Sequence, residues 1–293
     1  MQITAPSSLP LSEYSSHVMQ TETTTLGSTL SPIAQPFCPR SKPFLEEARV
    51  GNKRPVIDIE GSRYRVTSKV TVLQRFAAQK LRFETLRREM GAASSMIPLD
   101  MDSFDLIADC LIILHKETNR VVGTYRLINS RRTKNFYSAS EFELTEFLAL
   151  PGAKLELSRA CIAPEHRSGM ALSMLWKGIY EYARQADIRF LFGCTSIFAP
   201  IDADLTTLQD KIEEMNGFTD KCIVGPLPQF SSCGGDSLLK DDEIPTLMRG
   251  YLRAGAKLMR RPAYDRKFRC FDFFTVLDFR ELSTRLSSRY ERN

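Results

Sequence analysis

Three histidines and seven scattered cysteines are a thin supply of metal ligands for a chain of 293 residues. Cys38, Cys110, Cys161, Cys194, Cys222, Cys233 and Cys270 include no C-x-x-C pair, so no metal site is expected. Cys110, Cys161 and Cys194 fall in apolar runs and read as reduced core residues of a cytoplasmic protein. No apolar run reaches the about 18–20 residues that a transmembrane helix needs. The N-terminus lacks a basic n-region and an apolar h-region, so no secretory signal is expected. Excess charge is also scarce. The 40 Lys and Arg against 35 Asp and Glu leave +5. That suits an acidic partner or an anionic membrane surface and does not by itself imply nucleic acid. No internal repeat is visible.

What is there is an ordinary globular composition, 43% apolar and 26% charged. Residues 1–55 are rich in Ser, Thr and Pro without sustained period and read as a disordered tail, with a docking segment as the alternative. Residues 56–293 read as a single domain. Alternation predicts strands over Arg63–Leu73, Leu106–Leu114 and Val121–Ile128, and helical spacing predicts a helix over Gln74–Met90 stopped by Gly91. A helix over Phe142–Leu150 follows. The centre of the chain then reads strand, loop, helix, strand: Leu155–Ile162, Ala163–Ala171, a helix to Ala186, and Arg189–Thr195. That is a parallel crossover unit. Beyond it lie a helix over Thr206–Met215, a short strand over Lys221–Pro226, a mobile loop over Gln229–Pro245, an amphipathic helix over Thr246–Arg261 and a last strand over Cys270–Phe279. This order gives one mixed α/β domain.

Glu156 and Arg159 stand on an otherwise apolar strand. A carboxylate in an apolar cleft has its pKa raised by desolvation, which suits a general base accepting a proton from an amine. The plain alternative is an ion pair that satisfies itself on a sheet face. Strict alternation puts Glu156 and Ser158 on one face and Arg159 on the other, unless a bulge intervenes. The loop Ala163–Ala171 carries His166, Arg167 and Gly169 ahead of a helix, where backbone N–H groups can face an anion; a simple polar loop is the alternative. Asp102 and Asp105 read as an acid pair that orients Arg82 or Arg126. Trp176 reads as core. On the last helix Arg249, Arg253, Lys257 and Arg260 line one face. That face reads as solvated, as a dock for an acidic carrier, or as a rest on anionic lipid extending over residues 246–269.

Several spaced motifs occur in a fixed order: Leu81-Arg82-Phe83, Asp102-Ser103-Phe104-Asp105, Val122-Gly123-Thr124-Tyr125-Arg126-Leu127, Phe136 to Phe142, Leu155-Glu156-Leu157-Ser158-Arg159, Leu175-Trp176-Lys177-Gly178 and Leu191-Phe192-Gly193-Cys194. Over roughly Tyr64 to Asp278 the chain resembles the GCN5-related N-acyltransferases (GNAT). Within them it resembles the acyl-carrier-protein-dependent ornithine N-acyltransferases, the haemolysin-like branch, and more distantly the acyl-homoserine-lactone synthases. The resemblance implies an α/β fold with a central mixed sheet flanked by helices, whose strands Leu155–Ile162 and Arg189–Thr195 splay around a pantetheine arm. It implies Glu156 and Arg159 at the catalytic edge, and Arg82, Asp102, Asp105, Arg126 and Phe142 as orienting residues. Backbone N–H groups near Cys161, Ile162 and Ala163 would polarise the thioester. The hexad His166, Arg167, Ser168, Gly169, Met170 and Ala171 would hold the phosphate. The acetyl-CoA members prefer Gln or Arg where His166 stands, which favours phosphopantetheine on an acyl carrier protein over CoA.

The expected reaction is direct transfer of a (3-hydroxy)fatty acyl group from acyl carrier protein to the amine of an amino acid, ornithine first among them, in aminolipid synthesis. No tightly bound cofactor and no metal are needed, and Glu156→Gln is expected to fold normally. The expected setting is cytoplasmic, with a peripheral position at the inner membrane face left open. Three alternatives also stay open: an acetyl-CoA-dependent acetyltransferase, a lactone synthase using S-adenosylmethionine, and a non-catalytic membrane-binding protein.

Overall fold

The computed structural model describes residues 54–87, 97–167, 169–220, 224–231, 237–238 and 244–282. The chain divides into two units, Met1–Glu46 and Glu47–Asn293. The first lies outside the described residues, and with it nearly all of the expected tail. Most of the loop expected over Gln229–Pro245, the helix stop at Gly91 and the start of the strand expected at Lys221 lie outside them too.

The second unit opens with β1 (Asp58–Glu60) and β2 (Tyr64–Thr67). The strand expected to run to Leu73 stops at Thr67 because Thr71 and Gln74 form a reciprocal capping box that starts α1 (Val72–Arg82). Val72 and Leu73 are accordingly exposed, although their sequence pattern looks strand-like. A wider π-helical turn, Phe83–Arg87, extends α1. Leu106 is likewise no strand residue. Ser103–Leu106 is a 3-10 turn capped by Asp102 and Asp105, and β3 (Asp109–His115) begins after it.

β4 (Arg120–Asn129) completes the hairpin. The helix expected over Phe142–Leu150 shrinks to α2 (Thr145–Ala149), after a 3-10 turn over Tyr137–Ser140. The crossover unit is present as β5 (Ala153–Ile162), α3 (Met170–Gln185) and β6 (Ile188–Phe198). Then come β7 (Ala203–Asp204), α4 (Thr206–Glu214), β8 (Ser237–Leu238) and α5 (Thr246–Ala254). The chain closes with β9 (Lys257–Leu258), β10 (Ala263–Asp265) and β11 (Cys270–Asp278).

α5 is shorter than its amphipathic pattern. Gly255 takes φ +100°, a left-handed cap that ends the helix. Leu258 and Met259 keep up the apolar spacing only because they are buried beyond the helix, where Leu258 in β9 pairs with Thr275 of β11. Lys257 and Arg260 therefore leave the helix face on which they were expected.

The nine-stranded sheet runs β1-β2-β3-β4-β5-β6-β11-β10, with β9 also on β11. All neighbours are antiparallel except β5 and β6. One face packs under α3 through Leu111, Leu155, Leu175, Ile179 and Leu191. The other carries an aromatic cluster that includes Phe136, Phe142, Phe147, Phe190, Phe192 and Phe274, with successive rings 5.0–5.8 Å apart. Such tilted and edge-on packing adds to the burial of large apolar area. This second face also holds the polar groups described next.

Candidate active site

β5 and β6 pair only from Ala153↔Ile188 to Glu156↔Phe192. Beyond that they part, as expected. Gly193 sits at the fork, where the carbonyl oxygen of Leu157 comes within 2.3 Å of the position a Cβ would take. Only glycine allows that approach. The gap opens on the α3 face as a narrow cavity of about 40 Å³ lined by Leu157, Trp176, Leu191, Cys194 and Tyr251. Trp176 and Leu191 also line a larger cavity of about 200 Å³ that reaches Gly169 at the start of α3. Trp176 was expected in the core; it is half-buried and lines both spaces.

Glu156, the last residue of β5 that pairs with β6, is fully buried. Its Oε1 accepts from the backbone N–H and hydroxyl of Ser138 at 2.7 and 2.5 Å, and its Oε2 from the N–H of Tyr137 at 2.7 Å. Burial pushes the carboxyl pKa up, against the pull of these hydrogen bonds and of Arg126. Oε2 accepts one hydrogen bond and so keeps a lone pair for a further proton donor.

Arg159 does not follow strict alternation. Thr124↔Cys161 and Arg126↔Ser158 leave Arg159 and Ala160 opposite Tyr125 alone, a β-bulge with Arg159 at φ +54°. The bulge brings the guanidinium to the Glu156 face, 4.9 Å from the Tyr137 ring centre. There it joins a closed ring of charges. Arg82 pairs with Asp105 at 2.6 Å and Asp100 at 2.8 Å. Arg126 pairs with Asp102 at 2.6 Å and lies 3.7 Å from Asp105. Arg159 reaches Asp100 at 3.1 Å and Asp102 at 3.4 Å. Each arginine meets two aspartates and each aspartate two arginines. Burial opposes ionisation of Asp102, yet Arg126 and Arg159 outweigh it and hold the pKa down. Sequence reasoning found five of these six residues and missed Asp100; its signal was the third acid in the Asp100-x-Asp102-x-x-Asp105 run.

The other expected site residues divide. Phe142 is buried in the aromatic cluster, its ring 5.6 Å from that of Phe274, and lines neither the gap nor the cleft described below. Cys161 is buried, with its thiol 3.6 Å from the Leu81 carbonyl. The Ala163 N–H cannot polarise a thioester because it donates to the Val122 carbonyl at 2.9 Å. Ile162 is half-buried and its carbonyl accepts from Arg167 Nε. His166 Nδ1 meets the hydroxyl of Tyr64 at 2.9 Å, and its ring folds back toward His115. Burial lowers its pKa. Gly169 caps α3 at φ +80°. Met170 is exposed and Ala171 buried in the first turn. Ser168 lies outside the described residues. The N–H groups of Met170, Ala171 and Leu172, which open this 16-residue helix, have no intrahelical acceptor, and Gly169, Leu172 and Ser173 at that end line the cavity.

On the opposite face of the sheet a cleft of about 520 Å³ is lined by Asp102, Phe104, Tyr137, Glu141, Arg159 and Asp265 among others. Cys194 links the two sides. It lines the gap, and its thiol lies 3.4 Å from the Ser138 hydroxyl that binds Glu156. Sequence reasoning found neither Tyr137 nor Glu141 as cleft residues, since both sit in a turn with no periodic signal.

Residues 81–177 match the acetyltransferase (GNAT) domain. The chain is 30% identical over 247 residues to the L-ornithine N(alpha)-acyltransferase of Brucella abortus (strain 2308), covering 73% of this chain and 84% of that protein. It is also 30% identical over 237 residues to the enzyme of the same name from Rhizobium meliloti (strain 1021), covering 73% and 79%. Among solved structures, an N-acyl amino acid synthase from uncultured soil microbes aligns over 80% of this chain and 99% of its own, at 13% identity and a TM-score of 0.45.

Proposed function

The chain belongs to the L-ornithine N(alpha)-acyltransferase family, and from that premise we propose that it transfers a fatty acyl group from a thioester to the α-amine of ornithine. The observation that carries the chemistry is the parting of β5 and β6 immediately beyond the buried carboxylate of Glu156. A thioester arm threaded through the gap from the α3 face brings its carbonyl beside Glu156. The acceptor enters from the cleft on the other face.

Glu156 Oε2 takes a proton from the incoming ammonium. The freed amine attacks the thioester carbonyl, a C–N bond forms, and the C–S bond breaks. The thiolate leaves and takes up a proton, giving amide and thiol. The Arg–Asp ring positions rather than reacts. It ties the segment at Asp100–Asp105 to α1, β4 and β5, and so fixes the wall of the acceptor cleft. The donor phosphate rests at the N-terminus of α3 near Gly169 and Arg167, with the arm along Trp176. A carrier-borne arm is favoured over CoA by His166, which is turned back onto Tyr64 rather than toward that phosphate. An acidic carrier protein docks on Arg253 and its neighbours on α5, and the same basic face serves a membrane surface that receives the product. No described helix is long and apolar enough to cross a membrane.

The test is mass spectrometry of lipids from a host without aminolipids that expresses the chain, followed by a donor assay with purified protein. N-acyl ornithine formed from long-chain acyl carrier protein is the expected product. Exclusive use of acetyl-CoA, or liposome binding with no acyl product, would overturn the proposal.

A further inference from the structure

Glu141, Asp265 and Asp272 come from three separate places: the turn before α2, β10 and β11. One oxygen of each lies within 4.8 Å of the others, and all three residues are buried. Asp265 Oδ1 accepts from the N–H groups of Lys267 and Phe268. Asp272 accepts from the Ser196 hydroxyl and the Cys270 thiol. Glu141 Oε2 has no hydrogen-bond partner, although the residue is only 2% exposed and lines the cleft. Among the described residues no arginine or lysine forms an ion pair with any of the three. The contrast with Asp100, Asp102 and Asp105 is complete, since each of those pairs with two arginines.

Three buried carboxylates without a cation repel one another and lose their hydration, a costly arrangement unless something positive shares them. Burial and the adjacent Asp272 push Glu141 up to about 9, so in the empty cleft a proton takes that place. An incoming cation would displace it. The trio sits at one end of the turn whose other end, Tyr137 and Ser138, binds Glu156. A molecule that offers an amine to Glu156 and carries a second ammonium on a short chain would span the two.

We propose that Glu141, Asp265 and Asp272 form a counter-ion pocket for the side-chain ammonium of the acceptor, and so select a diamino acid over a monoamino acid of the same shape. The pocket rests on the acyl transfer proposed above, and the following assay separates the two. Purified full-length protein is given a long-chain acyl carrier thioester with either ornithine or norvaline, which has the same carbon skeleton and lacks the terminal amine. Wild-type protein is expected to prefer ornithine at least tenfold in kcat/KM. In Glu141→Gln and in Asp265→Asn, each checked for a cooperative melt, that ratio falls at least tenfold. Calorimetry of ornithine binding in buffers of different ionisation enthalpy should also detect proton release that Glu141→Gln abolishes.

Equal use of both acceptors by wild type, or an unchanged ratio in the folded variants, overturns the pocket and leaves the transfer reading standing. Acylation of neither acceptor overturns both. Loss of the preference on chelator treatment, with recovery on adding Mg²⁺ or Ca²⁺, makes the bound cation a metal ion and also overturns the proposal.

Discussion

At the scale of single residues, Glu156 is an anchor as well as the proposed base, and the two roles separate by experiment. Three donors converge on its carboxylate. Glutamine keeps one acceptor oxygen and turns an N–H₂ toward a backbone N–H, so the expectation of normal folding for Glu156→Gln is withdrawn. That variant is expected to lose about 1–3 kcal/mol in a urea melt as well as most transfer, the scale of a buried donor left unsatisfied. Ser138→Ala isolates the base. The Ser138 hydroxyl lowers the Glu156 pKa, so its removal raises that pKa. The acidic limb of the pH–rate profile should then move to higher pH. A folded Ser138→Ala enzyme with an unmoved acidic limb would remove Glu156 as the base. Glu141 carries a second pH signature. Its ordinary value is 4.5, and burial with Asp272 and Asp265 raises it to about 9 in the fold. Below the lower value both folded and unfolded chains hold the proton. Between the two values only the fold holds it, so this group's contribution to stability declines as pH rises. Glu141→Gln removes the dependence. The Tm of the variant minus that of wild type, without acceptor, should climb between about pH 5 and 9; a flat difference would contradict it.

At the scale of elements, what was legible depended on whether local pattern and tertiary partner agreed. β5, α3 and β6 were readable because an apolar strand, a helix with a core stripe and a second apolar strand each match their own period. The fork between them was implied only by resemblance, since Gly193 has no local pattern that announces a carbonyl 2.3 Å from its missing Cβ. Gly193→Ala should therefore push β5 and β6 out of register at the fork, lowering Tm and abolishing transfer. A variant with wild-type Tm and turnover would show that the close approach is not needed. α5 failed in the opposite sense. Its period continued to Arg261, yet Gly255 ended the helix, Leu258 belonged to β9 and Met259 followed it. The proposed docking face is smaller for it. Arg249 is tied to the Ile244 carbonyl at 3.1 Å, which makes exposed Arg253 the cleaner probe. Arg253→Glu should raise the KM for acyl carrier protein several-fold at low salt, with the difference shrinking as salt screens it. An unchanged KM would detach α5 from carrier docking.

At the scale of the whole molecule, the proposed reaction makes the sheet a partition. The Gly169–Trp176 cavity and the gap lie on the α3 face, and the proposed acceptor cleft, with the Arg–Asp ring and the carboxylate trio beside it, lies on the other. Sequence alone supplied five of the six charged residues of the ring, because Arg126 and Arg159 are conspicuous on apolar strands and Asp102 and Asp105 read as an acid pair that orients Arg82 or Arg126. It did not supply their closure, which needs the Arg159 bulge to bring an odd-parity side chain to the Glu156 face. Nor did it supply the trio, whose members are 124 and 131 residues apart from Glu141 in the numbering and meet only because β10 and β11 fold beside the turn. If donor and acceptor approach from opposite faces, each side should be blocked without affecting the other. Gly250 permits that test. It is an exposed helical position where an added Cβ meets nothing within 4 Å, yet it lines the Gly169–Trp176 cavity. Gly250→Phe should leave Tm unchanged or raised, since glycine costs about 1 kcal/mol in a helix interior. The ring would occupy part of a cavity of about 200 Å³. The KM for the acyl donor should then rise at least fivefold while the KM for ornithine stays within error. A rise in the ornithine KM with the donor KM unmoved would mean that this cavity admits the acceptor, and the assignment of the two faces would have to be exchanged.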